Sequence, residues 1–340
     1  MEVIWYGILS ILLGTYVLLD GYDIGAGVAF LFFADNDEEK NKIIKSISSV
    51  WDANEVWLLA FIGLAMVFFP HYAQILFNNF GGYILLFLLF LLLKTLAFNL
   101  LYLYRKNPFY KSIFGYLYGF LNLMLLIFIS LIFANILRGL YFEQEERIRF
   151  VSQSFSPLAQ KIGFFDWFTL LTTGMIFIAI LIHGLGWIVL KNSGAFNRKL
   201  KKLIQALAFI ELILVGLFLI SWYIIHPGVF HNYWTYPFLF ILPVLAFIAL
   251  IGLMGIRTYP GENKASILST NFIIFSWISI MVAIYPNFIL PLGHKKLTAF
   301  NAGFDNPDRF YIEWWILVLG ILLLIYSIIV HKFMKGEKNT

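Results

Sequence analysis

The sequence predicts an all-α polytopic membrane protein with nine transmembrane helices. Three observations carry this prediction. Of 340 residues, 61% are apolar and only 13% are charged, whereas soluble domains run at about 45–50% apolar and about 25% charged. Apolar runs of spanning length recur nine times along the chain. Aromatic residues make up 19%, many near the ends of those runs, where amphipathic rings settle at a membrane interface. A soluble core cannot hide so much apolar surface, so the solvent must be lipid. This excludes a soluble enzyme, a nucleic-acid binder and a secreted domain.

The runs cover residues 3–33, 48–69, 81–104, 113–137, 165–190, 203–225, 237–256, 267–289 and 313–333. Each can cross a hydrocarbon core about 30 Å thick. The opening Met1-Glu2-Val3-Ile4-Trp5 lacks a basic segment, and its apolar run is too long for a signal peptide, so it reads as the first span. The second opens on Val50 to Trp57, the third runs into Arg105 and Lys106, and the fourth ends at Arg138. A loop at 138–164 with charge of both signs separates spans one to four from spans five to eight, and the ninth is appended. The expected divisions are 1–137 for helices one to four, 138–164 for an external loop and 165–289 for helices five to eight. Residues 290–340 follow as a loop, helix nine and a cytoplasmic tail. Sixteen Lys and Arg lie in the loops after spans one, three, five and seven and in the tail, against seven on the other side. Basic loops stay in the cytoplasm, so the N-terminus is expected outside and the C-terminus inside. The net charge of +5 is accounted for in the same way. Cysteine is absent, so the chain has no disulfide, thiolate metal site, iron–sulfur cluster or c-type haem attachment.

A charge at mid-bilayer costs about 2.5–3.5 kcal/mol on insertion scales. Yet the first two spans keep Asp20, Asp23, Asp52 and Glu55. Asp20 and Asp23 are three apart and share a helix face. Gly21 and Gly25 form a small-xxx-small pair that admits a neighbouring helix, and the acids are expected on that glycine-lined face, away from lipid. Asp52 and Glu55 again share a face, in Trp51-Asp52-Ala53-Asn54-Glu55-Val56-Trp57. From the cytoplasmic half upward the four acids are expected to form a ladder suited to protons. The competing reading makes them caps and hydrogen-bonding partners, with Asp52 and Glu55 hydrated at the interface. Lys94 either snorkels to the cytoplasmic edge or pairs with an acid. His183 is the one histidine well inside a span; it is a haem-ligand candidate or a hydrogen-bonded packing residue. Glu211 is a lone acid in the sixth span. No metal site is expected.

These residues also carry a family resemblance. Leu19-Asp20-Gly21-Tyr22-Asp23-Ile24-Gly25-Ala26-Gly27, the acidic loop Asp35 to Lys40, and above all the Trp51 to Trp57 motif resemble subunit II of cytochrome bd quinol oxidases. Phe69-Pro70, Leu137-Arg138-Gly139, His183-Gly184, Tyr285-Pro286 and Leu297 to Asn301 follow in the right order. Lys94 stands where the family usually has Arg, and Asn99 where an acid is common. The resemblance implies two four-helix bundles plus one peripheral helix, in a bacterial inner membrane. It implies a haem-free subunit, partnered by subunit I with haem b, haem d and the quinol-oxidising loop. The role implied is assembly, haem retention and supply of protons or oxygen to the partner's oxygen-reducing site. Asp20, Asp23, Asp52 and Glu55 are then the proton-path residues, supported by Trp51, Asn54, Trp57 and Lys94. A small single-helix accessory subunit and membrane lipid or quinone are further partners it allows; nucleic acid is not one. The alternatives are a proton-coupled secondary transporter, which needs no partner subunit, and a haem b anchor, which would lose its haem on His183→Ala.

Overall fold

The computed structural model describes residues 1–48, 54–104, 106–141, 156–157, 163–303, 314 and 318. Among these, seven helices are long and apolar enough to cross a membrane. They are α1 (Glu2–Phe32), α4 (Pro70–Leu103), α5 (Pro108–Arg138), α6 (Trp167–Lys191), α7 (Ala195–Ile225), a helix over Pro237–Met254 and α10 (Asn263–Ile284). In the Pro237–Met254 helix a 3-10 turn, Pro237–Phe240, runs into α9 (Ile241–Met254). Three shorter helices complete the set: α2 (Asp37–Ile47), α3 (Glu55–Phe68) and α8 (His231–Thr235). α3 has 14 residues; residues 49–53 of the expected second span, Trp51 and Asp52 among them, lie outside the described residues. So does the expected ninth span, apart from Trp314 and Val318, which are helical. Met1–Ala302 is one compact unit, and Gly303–Thr340 is a second.

Local chemistry sets the helix ends. α4 starts at Pro70, eleven residues before the expected third span. Proline at a first helical position loses no hydrogen bond, and Asn79 satisfies its own side chain by donating to Ile75 O at 2.9 Å. Asn107 caps α5 by accepting from the Phe109 and Tyr110 N–H groups. α6 opens on a reciprocal capping box between Asp166 and Thr169. The expected acidic loop at 35–40 is instead the start of α2: Asn36 accepts from the Glu39 N–H at 2.9 Å, and Asp37, Glu38 and Glu39 face the positive end of the helix dipole. The eighth span ends at Ile284, short of 289, because a residue before proline is pushed out of the helical region. Asn287–Ile289 (β1) then pairs antiparallel with Leu297–Thr298 (β2).

Lipid tails are as apolar as leucine, so hydrophobicity makes these helices but does not choose their neighbours. Small residues do. A Cβ at Gly25 would lie 2.4 Å from Ile180 O, and one at Gly184 would lie 2.3 Å from Gly25 C. The α1 and α6 backbones therefore touch. α1 also packs against α3 and α5, α4 lies on α5, and α6 packs on α5, α7 and α10, with α9 on α10 and α7.

Candidate functional site

The α1–α3–α4–α5 contact holds the most concentrated charge inside the helices. Asp20 and Asp23 project from α1 and are 0% and 1% exposed. Lys94, from α4, is 2% exposed. Its Nζ lies 2.7 Å from Asp20 Oδ1, 2.9 Å from Asp23 Oδ2 and 3.5 Å from Glu55 Oε1. The Tyr118 hydroxyl, from α5, donates to Asp23 Oδ1. Glu55 enters from the first turn of α3 with its side chain 21% exposed. Asn54, just ahead of it, is buried and donates to Leu19 O at 3.2 Å, which pins the start of α3 to α1. Trp57 lies half-buried in α3.

Three carboxyl groups thus share one ammonium. Such a group of charges persists away from water only when paired and hydrogen-bonded. Lys94 cannot neutralise all three, so the surplus is met by protons or by hydration through Glu55. Chemically, such a surplus of carboxyl groups can hold a proton.

The contacts bring together Asp20, Asp23, Glu55 and Lys94, and Lys94 pairs instead of snorkelling. Three of the expected ladder's members form a cluster, because Glu55 meets the same ammonium as the α1 acids. Gly21 and Gly25 do not line the acids' face. They point about 150° round α1 from Asp20 and Asp23, toward Ile180, His183 and Gly184 of α6. Trp51 and Asp52 lie outside the described residues. His183 stands apart from the cluster. It stacks on Tyr22 at 3.9 Å, with Nδ1 3.1 Å from Ser269 Oγ and Nε2 3.0 Å from Leu18 O. Both ring nitrogens are engaged, so its contacts are those of a packing residue at the α1–α6–α10 junction.

A profile for cytochrome bd terminal oxidase subunit II matches residues 1–334. The chain belongs to this family. Subunit 2 of cytochrome bd-I ubiquinol oxidase from Escherichia coli strain K12 is 22% identical over 383 residues, covering 100% of this chain and 97% of that protein. The cytochrome bd ubiquinol oxidase subunit 2 of Bacillus subtilis is 24% identical over 206 residues, covering 59% and 57%. The solved bd oxidase of Geobacillus thermodenitrificans shares the fold, with a TM-score of 0.73 at 17% identity over 97% of this chain and 96% of that one.

This subunit II is therefore a component of a respiratory oxidoreductase and a multi-pass membrane protein. Sequence reasoning missed Tyr118 among its site residues. The available signal was Tyr118 and Asn122, polar groups four apart in an apolar run. Asn122 stacks its side chain against Gly27, where a Cβ would come within 2.4 Å, and donates to Tyr118 O at 2.9 Å. The Gly27 gap is thus what lets α5 approach α1 closely enough for the Tyr118 contact.

Proposed function

We propose that this subunit II binds no haem of its own, supports assembly and haem retention in subunit I, and supplies protons from the cytoplasm to the partner's oxygen-reducing site. The observation that carries this reading is the buried Lys94 cluster, with more acid than base and one member, Glu55, partly hydrated. Reduction of dioxygen to water consumes four protons. If these come from the cytoplasm while quinol releases its own outside, a proton motive force forms without a pump. Asp52, then Glu55, Asp23 and Asp20, is the order of entry. In this reading haem b, haem d and the quinol-oxidising loop belong to subunit I; the E. coli and B. subtilis relatives are named as subunit 2 of ubiquinol oxidases. A second role, oxygen access, is supported by a largely apolar cavity of about 590 Å³ between α1, α6, α7, α9 and α10. Nine spans in two four-helix bundles, 1–137 and 165–289, with the ninth helix peripheral, complete the proposed architecture. A single-helix accessory subunit and a bound lipid or quinone remain compatible with it.

The test is oxygen uptake per assembled haem in Asp52→Asn and Asp20→Asn, which keep size and hydrogen bonding but remove the titratable proton. The expected fall in turnover is about tenfold or more, the factor that about 1.4 kcal/mol of added barrier already imposes. Asp52→Glu is expected to retain more activity. Normal turnover with haem content intact would leave the acids a packing role. Orientation is tested separately: a reporter fused after Thr340 should be active only in the cytoplasm. Activity outside would reverse the direction of proton entry.

A further inference from the structure

Glu211 is a buried acid that neither the Lys94 cluster nor the Arg138–Asp166 ion pair uses. It sits on α7, is 1% exposed, and its Oε2 has no hydrogen-bond partner. It forms part of the wall of the 590 Å³ cavity. Among the described residues no Lys or Arg lines that cavity; its wall is largely aliphatic and aromatic, with Asp20, Tyr16 and Tyr233 as the other titratable groups that face it. Leu219, Trp234, Val244 and Phe247 line it too and are strongly exposed on the outer surface of α7, α8 and α9. The cavity therefore opens on the outer face of α7 and α9, two of the helices that can cross a membrane.

An ionised carboxylate with no cation beside it bears the full loss of hydration, which is several kcal/mol per ion. The neutral acid bears far less. Glu211 thus differs from Asp20 and Asp23, whose charge is met by Lys94 at 2.7 and 2.9 Å. We propose that Glu211 is a proton-carrying carboxyl reached from the membrane, and that it is the chain's site of covalent modification by neutral, membrane-soluble carbodiimides.

The chemistry needs what this site has. The carboxylic O–H proton passes to one carbodiimide nitrogen. The carboxyl oxygen then bonds to the central carbon, whose C=N bond becomes C–N, giving an O-acylisourea. Nothing leaves in this addition. In a cavity without a lysine amine or bulk water to intercept it, the acyl group migrates to nitrogen and leaves a stable N-acylurea. An acid of the Lys94 cluster that holds a proton has that lysine beside it, and the lysine, once it gives up its own proton, captures the O-acylisourea as an amide and releases the urea. The inference does not depend on the Lys94 cluster conducting protons.

The test uses the assembled complex in its own membranes, treated with dicyclohexylcarbodiimide and mapped by peptide mass spectrometry. The N-acylurea is expected on Glu211 at neutral and alkaline pH, and is lost in Glu211→Gln. Ala179→Phe fills the cavity from α6 and is expected to remove the label while Glu211 stays in place. A water-soluble cationic carbodiimide should label the exposed Asp37 and Glu38 and spare Glu211. Unmodified Glu211, equal labelling by both reagents, or labelling that vanishes as pH rises past the ordinary carboxyl value of about 4 would each overturn the proposal. If Ala179→Phe does not assemble, the Glu211→Gln control and the comparison of reagents still decide.

Discussion

Replacing Lys94 by methionine is expected to prevent accumulation of the assembled oxidase. Methionine keeps the length and apolar stem of lysine but removes the only ammonium within 4 Å of Asp20, Asp23 and Glu55 among the described residues. Breaking a buried pair by removing one partner costs about 3–5 kcal/mol, because the other charge is left uncompensated. Here three carboxyls lose the same partner. Lys94→Arg restores the cation with a planar fork that can bridge two carboxylates, and should assemble close to the parent level. Asp23→Asn added to Lys94→Met should recover part of the loss, since contacting residues couple in a double-mutant cycle. The measurement is haem-bearing complex per unit membrane protein, with its thermal midpoint. Parent levels in Lys94→Met would show that the acids are held by something else.

Gly184→Val is expected to have an effect of similar size by a different route. The first side-chain atom at this position would lie 2.3 Å from Gly25 C and 2.4 Å from Ala26 N. These are backbone atoms, which cannot rotate away, so α6 must separate from α1. Overpacking a core typically costs about 1–3 kcal/mol, and a backbone clash along a helix pair stands at the upper end. Gly174, ten residues earlier on α6, has open space where its Cβ would be. Gly174→Ala should therefore be neutral or slightly stabilising, within about 1 kcal/mol of helix propensity. Thermal midpoints of the two purified variants make the comparison. Equal behaviour would mean that the α1–α6 contact does not limit stability.

These two predictions rest on different kinds of information. The small residues of α1 were legible as a helix-packing device, but the acids were assigned to the same face. Helical spacing alone contradicts that assignment once the angles are followed round the helix. The choice between snorkelling and pairing for Lys94 was not legible, because both outcomes satisfy the same local sequence. Tyr118 went unnoticed because a tyrosine and an asparagine four apart in an apolar run mark a helix face without saying which neighbour that face meets.

By itself the sequence determined the lipid environment, the positions of most spans, the side expected for each loop and the identity of the unusual acids. These depend on sums of hydropathy and charge along a segment, which are read in one dimension. Only the tertiary structure decided which acids meet. Lys94 and Asp20 are 74 positions apart, and in lipid no hydrophobic force selects one helix face over another. Close backbone approach at glycine and the need to pair a buried charge make that selection. Both depend on atoms that different helices bring to the same place.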